Sequence, residues 1–271
     1  FYYWDNHDWG GQGSYGDSPV GSFAPQAIRE LVGPQTHERA IYRTWAHKGV
    51  RFVELDRWSM RSDSETIADD DPNKRMLGAD QEAWLYETLG AATEDVIILL
   101  AGFPLYSNMV RSGRWGSYLA EVGRIGAWLN AHPGVKQRLI AVGGDSHSVC
   151  ADNGANAMWG IPSLNVSPLH QSGGLASGMW NIANLDVDDE RGYFSRLSFA
   201  WTDDTVTVTW NAVQDDGASV ASWAKVLPRR DLLPGGQLTV WDGSAEQPAS
   251  IAGVWDGAAL LPVASLEVVT P

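Results

Sequence analysis

Hydrophobic and polar positions along the chain change period twice, and each change predicts a different kind of element. Val50-Arg51-Phe52-Val53-Glu54-Leu55 alternates loosely and then runs into the polar segment Asp56 to Arg61, as a strand emptying into a loop does. The Asp-rich stretch 62–76, with Pro72, predicts an exposed loop. Trp84, Leu85, Thr88 and Leu89 then recur at helical spacing, which predicts a helix over 81–89. Val96 to Leu100 is a short unbroken apolar run that suits a strand covered on both faces. A longer helical pattern runs from Trp115 to Leu129, and His132-Pro133-Gly134 should stop it. Leu139 to Val142 is a further buried strand, delivering the chain into Gly143-Gly144-Asp145.

After about residue 192 the period shortens to two. Leu197, Phe199 and Trp201 alternate with polar residues, as do Val206, Val208 and Trp210, and Asp203-Asp204 between them predict an antiparallel hairpin. At the other end, Tyr2, Tyr3 and Trp4 read as the close of a buried strand, and residues 10–21 as an irregular loop. The order is strand–helix alternation first and antiparallel strands afterwards, which argues for a mixed α/β (α+β) sheet system flanked by helices.

Composition limits the function without choosing it. The 271 residues fit one large domain, or one with a small appendage. We expect a main domain over 1–226 and a β-rich extension over 227–271. No run approaches the about 20 apolar residues that a membrane-spanning helix needs. Thirty-three acidic side chains against 19 basic ones leave a net charge of −14, which disfavours a nucleic-acid-binding patch. Bound cations could still reverse that field within a site for an anionic substrate. The single Cys150 excludes an internal disulfide and reads as a small buried apolar residue.

Two polar segments carry candidate chemistry. Asp5-Asn6-His7-Asp8 packs carboxylates, an amide oxygen and an imidazole directly behind an aromatic strand, where α/β proteins place ligand groups. Asp8 beside His7 could orient the imidazole and favour its acid form. Gly144-Asp145-Ser146-His147 follows a second buried strand, and its paired donors could point into one cleft. Either segment alone could equally be a capped polar turn. Oxygen ligands suit hard divalent cations and imidazole suits transition metals. His37, His47, His132 and His170 have no ligand-type neighbours, although His170 follows the Asp145 loop closely.

These segments belong to an ordered set. Tyr3-Trp4-Asp5-Asn6-His7-Asp8-Trp9-Gly10 resembles the Trp-Asp-Asp-His-Asp/Glu block of alkaline phosphatase D (PhoD)-like proteins, within the calcineurin-like metallophosphoesterases. Leu55-Asp56-Arg57-Trp58-Ser59-Met60-Arg61 is similar to that family's Leu-Asp-Thr-Arg-x-x-Arg segment. The segment Leu77 to Leu85 resembles its Leu-Gly-x-x-Gln-x-x-Trp-Leu helix, Arg114 to Tyr118 a degraded Asp-x-Trp-Asp-Gly-Tyr, and Gly144 to His147 its Gly-Asp-Val-His.

The resemblance implies a metallophosphoesterase four-layer sandwich, two mixed β-sheets flanked by helices. It implies hydrolysis of phosphate mono- or diesters by a dinuclear metal centre, iron with calcium or another divalent pair, in which the cations neutralise the phosphate. It assigns Asn6, Asp145 and His147 as metal ligands, His7 as the acid for the leaving group with Asp8 as its partner, and Arg61 as a substrate contact. The expected partner is a small-molecule phosphate ester. Trp58 stands where the family has its first Arg, leaving open whether Arg57 substitutes for it. The family's first two ligand blocks normally precede the Trp-Asp-x-His block, and only four residues precede Asp5. We therefore expect the natural protein to continue upstream, and this chain alone to bind metal poorly and to hydrolyse phosphate esters slowly or not at all. A non-catalytic relative that keeps the fold as a binding module is the alternative reading.

Overall fold

The structure, a computed structural model, describes residues 15–16, 26–27, 30, 40–106, 114–167, 173–176, 178–187, 191–230, 238–241 and 246–249. The chain forms two compact units, Phe1–Arg230 and Asp231–Pro271. In the second, Leu238–Trp241 and Glu246–Ala249 pair as an antiparallel hairpin.

The first unit is built on a seven-stranded mixed sheet. Its strands are β1 (Arg43–His47), β2 (Val50–Glu54), β3 (Val96–Gly102), β4 (Leu139–Gly143), β5 (Val149–Asp152), β6 (Ser163–Val166) and β7 (Ala183–Leu185). They lie in the order β1-β2-β3-β4-β6-β5-β7. The central strands β2, β3, β4 and β6 are parallel, while β1, β5 and β7 run against their neighbours. Parallel neighbours need crossovers; α1 (Gly78–Ala91) supplies the one from β2 to β3, and α2 (Leu119–Ala131) with the short α3 (Pro133–Arg138) the one from β3 to β4.

Strand β3 shows why its apolar run is continuous. Ile97, Leu99 and Ala101 join Leu85 and Leu89 of α1, Ile125 and Leu129 of α2, and Val135 of α3 in one core. Val96, Ile98 and the partly buried Leu100 face the opposite way, into a second core with Val206, Val208, Trp210 and Leu227. Those residues come from a three-stranded antiparallel sheet of β8 (Tyr193–Trp201), β9 (Thr205–Gln214) and β10 (Ser219–Pro228). Its alternation is clean because one face is buried and the other meets solvent. Among the described residues the layers are therefore helices, mixed sheet and antiparallel sheet. The second sheet is wholly antiparallel there, where a mixed one was expected.

Several local expectations shift. The helical pattern from Trp115 opens as a 3₁₀ turn at Trp115–Ser117 before α2 begins. His132-Pro133-Gly134 ends α2 but also starts α3, because Pro133 is at home in a first helical turn. The segment 62–76 is not merely exposed. Lys74 is fully buried within it, its ammonium donating to the carbonyls of Ser64 (3.1 Å) and Ile67 (2.6 Å) and to Asp69 (2.8 Å). Cys150 is buried, and burial pushes its thiol up to about 11. No described helix is long and apolar enough to cross a membrane.

Candidate functional site

Parallel strands deliver their following loops to one edge of a sheet. Here that edge receives Arg57 after β2, Phe103 after β3, Asp145 after β4 and Ser167 after β6. Backbone bonds stitch the loops together. Gly144 N donates to Gly102 O (2.9 Å), and Leu55 N to Leu100 O (3.3 Å). The backbone N–H of His147 donates to the Ser167 hydroxyl at 3.0 Å.

The turn that carries Arg57 is held by Asp56, which is fully buried. Its carboxylate accepts the backbone N–H groups of Ile41 (2.9 Å), Trp58 (2.9 Å) and Ser59 (3.0 Å), and the Ser59 hydroxyl. Gln81 of α1 completes the clamp, accepting from Asp56 N at 2.8 Å and donating to Asp56 O at 2.6 Å. An Asp at the end of a strand thus organises the loop rather than entering the chemistry.

Three guanidinium groups gather on two aromatic rings at this edge. Arg57 lies 3.6 Å from the centre of the Phe103 ring, and Arg61 3.9 Å from the Trp58 ring. Arg114 is 5.7 Å from Phe103. The two rings meet edge to face at 6.4 Å. Ring faces attract cations, by about 2 kcal/mol where water is excluded, and Arg57 and Arg61 are each only 2% exposed. Gly102, at φ +75°, makes room for this, since a Cβ there would fall inside the Arg57 guanidinium. Burial is the main influence lowering the Arg61 pKa to about 10, which leaves it charged at neutral pH.

Of the expected site residues, the fold brings Asp145 and His147 to the edge on a single loop. Both adopt left-handed backbone angles, φ 59° and 51°, a conformation that costs a non-glycine residue about 1 kcal/mol or more. The Asp145 carboxylate is partly exposed and holds a cation, the Arg114 guanidinium, at 3.0 Å. His147 is exposed. Arg61 is buried and packed on Trp58. Asn6, His7 and Asp8 lie outside the described residues, as do Asp5 and His170. His132 is exposed, with Nδ1 2.7 Å from Trp128 O.

A carboxylate and an imidazole on one loop fit a divalent ion in kind. They do not fit in number: among the described residues no cluster of three His, Cys, Asp or Glu side chains could hold a metal. Residue-level reading assigned no role to Arg114 or Phe103. The Gly102-Phe103 step at the end of a buried strand was the available signal for Phe103, and for Arg114 it was only its place at the head of the Arg114–Tyr118 block.

No protein-family model matches the chain, and no curated protein does. Solved structures do. The structure of PhoD superposes with a TM-score of 0.58 over 83% of this chain and 52% of PhoD, at 15% sequence identity.

The fold is that of PhoD.

The chain thus spans about half the length of PhoD, and at this identity the likeness is one of architecture. A purple acid phosphatase, PPD1 from yellow lupin (Lupinus luteus) seeds, matches over 81% of this chain and 39% of its own, at 16% identity and a TM-score of 0.48. The two-sheet α/β fold expected from the ordered sequence blocks and the PhoD-like fold found in three dimensions agree.

Proposed function

We propose that the chain is part of a metal-dependent phosphoesterase acting on small phosphate mono- or diesters. The observation that carries this reading is the convergence of Arg57, Arg61 and Arg114 beside the Asp145–His147 loop. In a chain of net charge −14, a cluster of three guanidiniums around two rings marks the place where an anion is favoured. Preorganised positive charge is what phosphoryl chemistry asks of a protein, because charge spreads over the phosphoryl oxygens as the transition state forms.

In this reading Asn6, Asp145 and His147 would hold the metal, iron with calcium or another divalent pair, which when bound supplies Lewis-acid neutralisation of the phosphate. The chain's own residues do the rest. His7, oriented by Asp8, protonates the leaving oxygen. Arg114, the most exposed of the three arginines, offers a planar fork to phosphate oxygens. Arg61, 3.9 Å from the centre of the Trp58 ring, adds its charge to the same cluster. The domain boundary near 226 is retained as part of the proposal.

The test is hydrolysis of p-nitrophenyl phosphate and its bis-ester by the protein in full-length form, before and after chelation and metal restoration. Turnover that chelation removes and a divalent metal restores is expected. Turnover indifferent to chelator would sink the metal mechanism. Clean metal binding with no turnover on either ester would favour the binding-module alternative.

A further inference from the structure

Residues 173–176 and 178–180, between β6 and β7, flank the Asp145–His147 loop and carry no charged side chain. We propose that they form the leaving-group side of the site, and that the ester taken there is the phosphate of an apolar alcohol, alkyl or aryl. Leu175 and Met179 are its specificity-determining residues. The inference rests on the phosphoesterase reading above and deepens it.

These residues are pinned to two loops of the site, those after β4 and β3. Gly174 N donates to His147 O at 3.1 Å, and Gly173 N to Val187 O at 3.1 Å. A Cβ at Gly173 would fall 1.6 Å from His147 O, so only glycine lets the two backbones approach this closely. Asn184 of β7 grips Ala176 twice, accepting from its N–H at 2.9 Å and donating to its carbonyl at 3.0 Å. Further along, Trp180 packs on Tyr106 with ring centres 5.3 Å apart. Gly178, at φ +116°, passes so close to Tyr106 that a Cβ would meet the ring at 2.4 Å. Tyr106 belongs to the loop that carries Phe103, the ring beside Arg57 and Arg114.

On this fixed backbone two large apolar side chains meet water: Leu175 is 67% exposed and Met179 62%. Leu175 follows the glycine bonded to His147, and Met179 stands between Gly178 and Trp180 at the ring pair. Apolar surface left bare beside a site marks a place that an apolar group covers. A backbone already held adds little ordering cost when that group arrives, and the Met179 thioether adapts to its shape. The arginine cluster attracts the phosphoryl end of every ester alike, so it cannot tell one alcohol from another. The rim can. A phenyl or alkyl group gains by burial against Leu175 and Met179, while a hydroxyl-rich alcohol loses hydration there without a partner.

Titration calorimetry on the full-length protein tests this, in EDTA so that no ester is consumed. The ligands are phenyl phosphate, glycerol phosphate and phenol, and the proteins are the parent, Leu175→Ser, Met179→Ser and the double variant. We expect the parent to bind phenyl phosphate roughly tenfold more tightly than glycerol phosphate, the gain from covering about 60 Å² of apolar surface. The double variant should bring that ratio close to one, with each single variant between. Thermal melts establish that the variants fold, and the single variants carry the comparison if the double one does not. A ratio near one in the parent, a ratio that the substitutions leave unchanged, or phenol bound as tightly as phenyl phosphate overturns the rim. With chelator-sensitive ester hydrolysis intact, each of those results leaves the phosphoesterase reading standing. Absence of binding by either ester, together with absence of chelator-sensitive hydrolysis, overturns both.

Discussion

The carboxylate of Glu121, in the first turn of α2, accepts the backbone N–H of Met76 at 2.7 Å, and it also accepts that of Leu77 at 3.2 Å. These are donors at the approach to α1, where a helix leaves N–H groups without intrahelical acceptors. The N-cap residue, Leu77, has no side chain able to accept them. A residue 45 positions away does so instead, and it is fully buried.

Removing that acceptor leaves two buried donors bare. Glu121→Ala should therefore destabilise the protein by about 3 kcal/mol, at about 1–3 kcal/mol per unsatisfied group. Urea denaturation of parent and variant at neutral pH measures it. A loss below about 0.5 kcal/mol would show that water or another group satisfies Met76 and Leu77.

The same residue gives a signed pH dependence. Burial, foremost, raises the Glu121 carboxyl to about 7, with Glu82 adding to the rise while the N–H bonds from Met76 and Leu77 and the Arg124 charge oppose it. Its unfolded value lies near 4.3. A raised folded pKa means that the contribution to stability is full below the unfolded value and is lost as pH rises through about 7. Relative to Glu121→Gln, the parent should lose about 2–3 kcal/mol between pH 4 and 8. A difference that stays flat with pH, or grows, contradicts the assignment.

Gly102 and Gly144 offer a paired test of the site's packing. Gly102→Ala places a Cβ inside the Arg57 guanidinium on a backbone with φ +75°. It should cost about 3 kcal/mol by displacing Arg57. At Gly144 the nearest atom to a new Cβ is 3.7 Å away, an ordinary contact. Gly144→Ala should stay within about 1 kcal/mol of the parent. Equal melting temperatures for the two variants would remove the argument that Arg57 needs a glycine beneath it.

Asp152 is fully buried and accepts the backbone N–H groups of Gly154 (2.8 Å), Asn156 (3.0 Å) and Ala157 (3.2 Å), and the Asn156 side chain at 2.9 Å. It anchors the turn that returns the chain from β5 to β6. Asp152→Ala should cost about 3 kcal/mol while leaving the β4–β6 pairing and the far-UV spectrum of the folded state unchanged. Urea denaturation of parent and variant, read beside circular dichroism, checks both.

If the phosphoesterase reading holds, Asp145→Ala and His147→Ala should each lower metal affinity and kcat/KM by about a hundredfold or more, with melting temperatures near the parent's, since both side chains are partly or fully exposed. Metal analysis after dialysis, read beside turnover, checks this. Retained metal and turnover in both variants would detach the loop from the chemistry.

Residue pattern by itself determined which segments cross the core and where their loops begin. The run Val96 to Leu100 reads as a doubly covered strand because both of its faces are apolar, and β3 has a core on each side. The alternation in β8 and β9 likewise declares a sheet with one wet face. The Asp145–His147 loop was legible because its residue types are unusual directly behind such a strand. Strands β5, β6 and β7 were not legible, since they are three or four residues long and flanked by turn residues, too short for a period to show.

What only the tertiary structure decided is who meets whom. Arg114 and Asp145 are 31 residues apart, and Glu121 and Met76 are 45. Neither pair leaves a local trace, because an ion pair or a buried hydrogen bond constrains two side chains in space and not their spacing along the chain. Arg57 and Arg61 look like loop residues in sequence, and only the closure of Phe103 and Trp58 over the parallel edge turns them into buried cations.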